Sequence, residues 1–348
     1  MSILRTVALY NFRSYSERSF EFSETVTVIS GKNGTGKTNI LESIYVLMQG
    51  KSFRDSDEQL MQYDTEWWKI NGEFDTGERE LRYQPGATVP KQLLVDSVNK
   101  GRFTYRQQLP VVLFEPDTLL LLHGSPSNRR AYLDALLISL NPTYRPLLAK
   151  YERALLQRNN ILKNGGTLAQ LQDKVFVWDI ALAEYGSQIQ LARQDLVERL
   201  NKKASETYSM LAAGKNQVAV IYEPTHVSNS QRLAEALNRS LHKDALRGFT
   251  SVGPHRDDVE FLLNGKDAKS TASRGEVRTI ILMLKYIELS LLTEATGQTP
   301  LFLLDDVFSE LDEARQKALL ASTEGVQKII TTTHKPVRLP GIVTIKTS

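Results

Sequence analysis

Gly31-Lys32-Asn33-Gly34-Thr35-Gly36-Lys37-Thr38 decides the fold of this 348-residue chain. Glycines at that spacing let successive backbone N–H groups turn toward phosphate oxygens. The run Thr25–Ile29 before the octapeptide is β-like, and Ile40, Leu41, Ile44, Leu47 and Met48 after it recur at helical spacing. A strand, this loop and a helix in that order make a phosphate-binding site, because the helix N-terminus adds free N–H groups and a favourable dipole. Lys37 is expected to reach the β- and γ-phosphates of a nucleotide, and Thr38 to ligate Mg²⁺. Asn39 completes the candidate nucleotide-binding set.

Leu301-Phe302-Leu303-Leu304 is uninterrupted and apolar, as a central strand covered on both faces must be. Asp305 and Asp306 follow it at once. The first carboxylate is placed to hold the metal with Thr38, and the second to act as general base on an attacking water. His334 ends the next β-like run, Lys328–Thr333. Lys37, Asp305 and His334 each stand just past a strand's carboxyl end, where parallel α/β sheets bind ligands, so the three are expected to converge. Ser273-Arg274-Gly275-Glu276 opens an apolar-striped helix, Glu276–Leu292. Ser273 suits an N-cap, and the free N–H groups there make a second anion site.

The rest of the chain sorts into three stretches. Residues 1–121 read as strands and turns around one helix, with Trp68–Phe74 and Val111–Phe114 β-like. Residues 122–245 are mainly helical: Arg129–Leu140, Arg145–Leu162, and Leu168–Met210 with a break expected near Gly186. Residues 246–348 return to α/β, with a hairpin-like pair around Gly248–Leu263 and a turn at Asn264-Gly265. The fold class expected is therefore an α/β nucleotide-binding core with a mixed or parallel sheet and an inserted helical lobe. There are no cysteines, which excludes disulfides and thiol chemistry, and the five histidines lack paired metal-ligand spacing. No apolar run is long enough to span a bilayer and the N-terminus is no secretory signal, so a cytoplasmic protein is expected. A net charge of +3 permits nucleic-acid binding without demonstrating it.

Taken together, these motifs resemble the ATP-binding-cassette (ABC) ATPases, in their SMC-like branch. Within that branch the chain is similar to the bacterial RecF family. The likeness is carried by NFRSY (Asn11–Tyr15), VVLFEPDTLLLLHGSPSNRRAYLDALL (Val111–Leu137), LLQRNNILK (Leu155–Lys163), GPHRDD (Gly253–Asp258) and DDVFSELD (Asp305–Asp312). It runs over nearly the whole chain in one order, and a modest helical lobe replaces the long coiled coil of the condensing SMC proteins. The resemblance implies an ATP- and Mg²⁺-dependent homodimer that holds duplex DNA near single-strand gaps. It also implies work with RecR, and through it RecO and the recombinase RecA. In each subunit Ser273–Glu276 would be the signature that closes on the other subunit's γ-phosphate. Phe308–Asp312, with Ser309 and Asp312, would be the D-loop at the interface.

Two positions depart from the cassette pattern. Glu276 stands where the signature usually has glutamine, which sets a carboxylate near a partner's phosphates. Asp306 stands where most cassettes carry glutamate, a shorter arm that suggests slow hydrolysis, while the RecF branch itself favours Asp-Asp. Candidate DNA contacts are Arg129, Arg130, Lys150, Arg153, Arg158 and Lys163, although a solvated helix face is the commoner fate of such residues. A transporter cassette is disfavoured by the helical insertion, and a nuclease-linked repair ATPase by the lack of a nuclease segment. A nucleotide-dependent scaffold that hydrolyses negligibly shares every motif above.

Overall fold

The computed structural model describes residues 2–212, 216–225, 229–310, 313–321, 325–333 and 342–347. Along the chain run β1 (Leu4–Phe12), β2 (Tyr15–Glu21), β3 (Val26–Ser30), α1 (Lys37–Gln49), β4 (Trp68–Phe74), β5 (Gly77–Tyr83), β6 (Lys91–Val95), β7 (Val98–Arg102) and β8 (Val111–Phe114). The helices α2 (Leu120–His123), α3 (Pro126–Leu140), α4 (Tyr144–Asn164) and α5 (Leu168–Leu211) follow. Then come β9 (Val218–Glu223), α6 (Ser230–Arg247), β10 (Asp258–Leu263), β11 (Lys266–Asp267), α7 (Ala268–Thr271) and α8 (Arg274–Thr296). The chain ends with β12 (Leu301–Leu304), α9 (Glu313–Ala321), β13 (Lys328–Thr332) and β14 (Ile342–Lys346).

Two compact units result: Met1–Thr118 with Met210–Ala212 and Lys285–Ser348, and Leu119–Ser209 with Ala213–Leu284. In the first, five parallel strands lie in the order β14-β3-β13-β12-β8. Every residue of β8, β12 and β13 is buried, which explains the continuous apolar character of β8 and β12. An antiparallel sheet, β2-β1-β4-β5-β6-β7, completes this unit. Its strands alternate: Trp68, Ile70, Gly72 and Phe74 of β4 are buried, while Lys69, Asn71 and Glu73 are not. One apolar cluster joins α1 (Ile40, Leu41, Ile44, Leu47) to both sheets, through Leu9, Trp68 and Leu81 on one side and Ile29, Leu303 and Ile329 on the other. That double burial is why α1 is apolar over more than one stripe.

The second unit is largely helical but has its own antiparallel sheet, β11-β10-β9. Residues 246–284 belong here and not, as the sequence suggested, with the nucleotide-binding part. Strand β10 pairs along β9 from Asp258↔Glu223 to Leu263↔Val218, the Arg129–Asp258 ion pair binds the segment to α3, and Arg158 of α4 donates to Thr250 Oγ1 (3.0 Å). The expected turn at Asn264-Gly265 is present, both residues having positive φ (53° and 75°), but it joins β10 to the two-residue β11.

Helix α5 is unbroken through Gly186, contrary to the break expected there. This glycine serves close packing: a Cβ would lie 2.9 Å from Leu233, 3.2 Å from Tyr151 and 3.3 Å from Pro254. Gly186→Ala gains helix propensity of up to about 1 kcal/mol but overpacks this contact by about 1–3 kcal/mol. A net loss of stability is expected in urea melts; a stabilised variant would show that the contact is loose.

Candidate nucleotide site

The parallel sheet places β13 between β3 and β12, so the carboxyl ends of these three strands stand side by side. The loop after β3 is fixed from several directions. Lys37, buried at the start of α1, donates from Nζ to the carbonyls of Gly31 (2.9 Å) and Lys32 (2.7 Å). The Thr35 hydroxyl meets the Lys32 carbonyl (2.9 Å) and the Thr347 hydroxyl (2.7 Å) beyond β14. Gly36 sits at φ 85°, where a Cβ would also lie 2.6 Å from the Tyr15 hydroxyl. The NFRSY hairpin thus packs on the loop, and Asn39 reaches it by donating to Ser14 Oγ (3.1 Å). The expected set from Gly31 to Asn39 is one connected structure, and Asn33, Gly34, Gly36, Lys37, Thr38 and Asn39 line a cleft of about 370 Å³.

The far wall of that cleft is formed by Asp305, Asp306, Thr331 and Thr333. The Thr38 hydroxyl donates to Asp305 at 3.1 Å (Oδ1) and 3.0 Å (Oδ2), and Thr331 Oγ1 donates to Oδ1 at 2.6 Å. Burial pushes the Asp305 carboxyl above the usual range, and the hydrogen bonds from Thr331 and Thr38 draw it back. These oxygens suit Mg²⁺: octahedral ligands at about 2.1 Å stand about 3 Å apart when adjacent, the spacing Thr38 and Asp305 show. Asp306 has φ 48°, a left-handed conformation that aspartate tolerates well, and its N–H donates to Thr331 Oγ1 (2.8 Å). His334, Leu311 and Asp312 lie outside the described residues. Ser309 belongs to a short 3-10 turn, Val307–Glu310.

Arg54 and Glu115 escaped the sequence reading. Arg54 lines the cleft, held by Glu42 (2.5 Å) and Asn39 (3.2 Å). Glu42 is fully buried and also takes a two-pronged bond from Arg13 (2.9 and 2.8 Å) and one from Ser52 (2.6 Å). Burial favours its neutral form, yet these donors outweigh burial and hold it below the usual carboxylate range. The only sequence hint was an arginine shortly after the helix. Glu115 directly follows β8, the same strand-end position as Asp305. Burial, with the charges of Asp117 and Asp305, raises it to about 7.

The segment Ser273–Glu276 lies in the second unit. Glu276 does not stand as a bare carboxylate: it accepts from both the N–H and the hydroxyl of Ser273 (2.8 Å each), while its own N–H meets Ser273 Oγ (3.3 Å). This is a reciprocal cap of the α8 N-terminus.

Two of the proposed DNA contacts, Arg129 and Arg158, are corrected by the same unit, and a third, Arg130, is half-buried. Arg129 is buried, forming a two-pronged pair with Asp258 (2.7 and 2.9 Å). Arg158 is fully buried between Asp179 (2.6 Å) and Asp244 (2.7 Å). Arg130 donates to the Asp257 carbonyl (2.8 Å). Internal carboxylates, unseen in the local sequence, claim Arg129 and Arg158; Lys150, Arg153 and Lys163 remain exposed. Beside them His255 Nε2 donates to the Thr250 carbonyl (3.0 Å), so Nδ1 is the acceptor for the Tyr151 hydroxyl (2.6 Å). Burial, opposed by the Thr250 bond and aided by the Arg256 charge, lowers His255 to about 4. The unfolded chain binds this proton near pH 6.5, the folded chain only near 4, so stability falls as pH drops through that window. The loss below pH 4 is up to about 3 kcal/mol. Urea melts should show this slope in the wild type and a shallower one in His255→Gln; equal slopes would contradict it.

Residues 3–340 match the model of the RecF/RecN/SMC N-terminal domain. The DNA replication and repair protein RecF of Symbiobacterium thermophilum is 38% identical, covering 95% of this chain and 91% of that one. RecF of Lachnoclostridium phytofermentans is 35% identical over 95% and 92%. A solved structure of the recombination mediator RecF with ATP superposes with a TM-score of 0.82 at 32% identity, covering 97% of this chain and 94% of that one. The Smc head domain of Pyrococcus furiosus shares the fold, with a TM-score of 0.53 at 16% identity. The chain therefore belongs to the RecF family of DNA replication and repair proteins, within the SMC-like group of ABC ATPases.

Proposed function

We propose that this protein is an ATP-gated clamp on DNA and a slow ATPase. The observation that carries the reading is the connected set of Lys37, Thr38, Asp305 and Thr331 at adjoining strand ends. The similar RecF structure that contains ATP supports the choice of nucleotide. Lys37 and Arg54 supply positive charge to the triphosphate, and loop N–H groups bind its oxygens. Thr38 and Asp305 hold Mg²⁺, which neutralises charge on the phosphates. Asp306 takes the proton of the attacking water, with His334 orienting that water.

Two subunits enclose two nucleotides, each closed by the other's Ser273–Gly275 segment and by D-loop contacts around Ser309 and Asp312. The closed dimer holds duplex DNA near a gap and, with RecR and RecO, assists RecA loading. Hydrolysis reopens it. A cytoplasmic location fits, and no described helix is long and apolar enough to cross a membrane.

Asp306→Asn is the test of the switch. Asparagine also tolerates a left-handed backbone, so the change removes charge with little strain. Loss of a general base should slow single-turnover phosphate release by about 100-fold or more while nucleotide binding persists. Unchanged release would leave only the scaffold reading, in which binding alone drives assembly.

A further inference from the structure

The edge of the antiparallel sheet carries cations that the nucleotide site does not use. Strand β7 is that edge, and Lys100, Arg102 and Arg106 are exposed on it and just beyond it. None of the three is ion-paired among the described residues, whereas nearby Lys91 and Arg82 are engaged by Asp57 and Glu80. Tyr105, half exposed, stands between them with the Arg106 guanidinium 5.9 Å from its ring centroid. Asp96 forms the β6–β7 turn, at the end of the hairpin away from Arg102, and accepts from the Glu78 N–H, while Asp57, at the Arg102 end, is taken up by Lys91. Cations on an edge strand also discourage pairing with other chains. That role does not account for Tyr105 and Arg106, which lie past the strand.

The segment holding them is tied down by hydrogen bonds. Gln107 caps a short turn by accepting from Thr104 N–H (2.6 Å) and Oγ1 (3.0 Å), and its carbonyl receives the buried Arg79 guanidinium. It is also fastened to the end of α1. Gln108 donates to the Gln49 carbonyl (3.0 Å), Leu109 N–H to that of Met48 (3.0 Å), and the Phe103 ring packs on Gly50. The other end of this 13-residue helix holds the phosphate loop.

We propose that Lys100, Arg102 and Arg106, with Tyr105 beside them, form a contact surface for the phosphodiester backbone of DNA. The surface is fixed through α1 to the nucleotide loop, so nucleotide state and DNA contact share one rigid element. Binding here reads no bases and depends on salt. The inference rests on the clamp reading and deepens it by naming the surface.

The test is fluorescence anisotropy with a labelled gapped duplex, Mg²⁺ and a slowly hydrolysed ATP analogue, over a range of salt. The variant combines Lys100→Ala, Arg102→Ala and Arg106→Ala. Its DNA affinity is expected to fall at least about tenfold near physiological salt, with the log–log salt slope shallower by about 0.9 for each DNA phosphate that is no longer neutralised. Nucleotide affinity and melting temperature should match wild type, which separates weakened DNA binding from unfolding. Wild-type affinity and slope in the triple variant, with DNA still bound, would overturn this surface alone. Failure of the wild type to bind DNA in any nucleotide state would overturn both the surface and the clamp.

Discussion

Lys37→Ala is expected to lower ATP affinity by at least about 100-fold, the loss of a charge-assisted interaction of about 2.7 kcal/mol or more. The side chain is 7% exposed and its ammonium clamps the carbonyls of Gly31 and Lys32. Alanine removes the charge proposed to face the β- and γ-phosphates and frees the loop to relax. The hydrogen bonds of Thr35 and the packing of Tyr15 on Gly36 are left in place, so the unit should still fold. Titration calorimetry with ATP and Mg²⁺ measures the loss directly. Affinity within a few-fold of wild type would contradict the placement of the nucleotide.

The second large effect is on stability. Arg158→Ala should destabilise the second unit by about 3–5 kcal/mol, because it strands the buried carboxylates of Asp179 and Asp244. Asp244 keeps Ser240 and Ser251 as donors (2.8 and 2.6 Å), but Asp179 is already raised by burial and depends on Arg158 for its charge. Arg158→Lys should recover only part, since an ammonium cannot meet Asp179, Asp244 and the Leu237 carbonyl with one planar fork. Chemical denaturation of both variants checks this. A loss under about 1 kcal/mol for alanine would mean that water reaches the site and that the residue is free for another role.

These two residues mark where the sequence was legible. Lys37, Thr38 and Asp305 could be placed because the information is local: a glycine-spaced loop, an apolar strand, a residue at each strand's end. Parallel strands then bring those ends together whatever lies between. Arg158 was not legible. Its carboxylate partners stand 21 and 86 residues away, and nothing in the helical pattern of α4 distinguishes a buried arginine from a solvated one. Gly186 misled for a related reason, since a glycine required by a neighbouring helix looks in sequence like a helix break. The partition of residues 246–284 depended on β10 choosing β9, a long-range pairing that periodicity cannot reveal. Arg54 has a local position but a non-local cause, because the buried Glu42 that aims it also binds Arg13.

Glu276 shows how the structure sharpens a sequence departure. Its charge is directed back to Ser273, so the Ser273 hydroxyl already has an acceptor. In the proposed composite site, engaging a partner's phosphate would require the Ser273 hydroxyl to turn from one anion to another.

The central claim is that each nucleotide site is half of a composite site completed by a second copy of the chain. Light scattering on a size-exclusion column, with Mg²⁺, a gapped duplex and either ATP or no nucleotide, tests it most directly. The account predicts the 39.3 kDa chain without nucleotide and a complex with twice that protein mass on DNA when ATP is present. A monomer under both conditions, or DNA association indifferent to ATP, would contradict it.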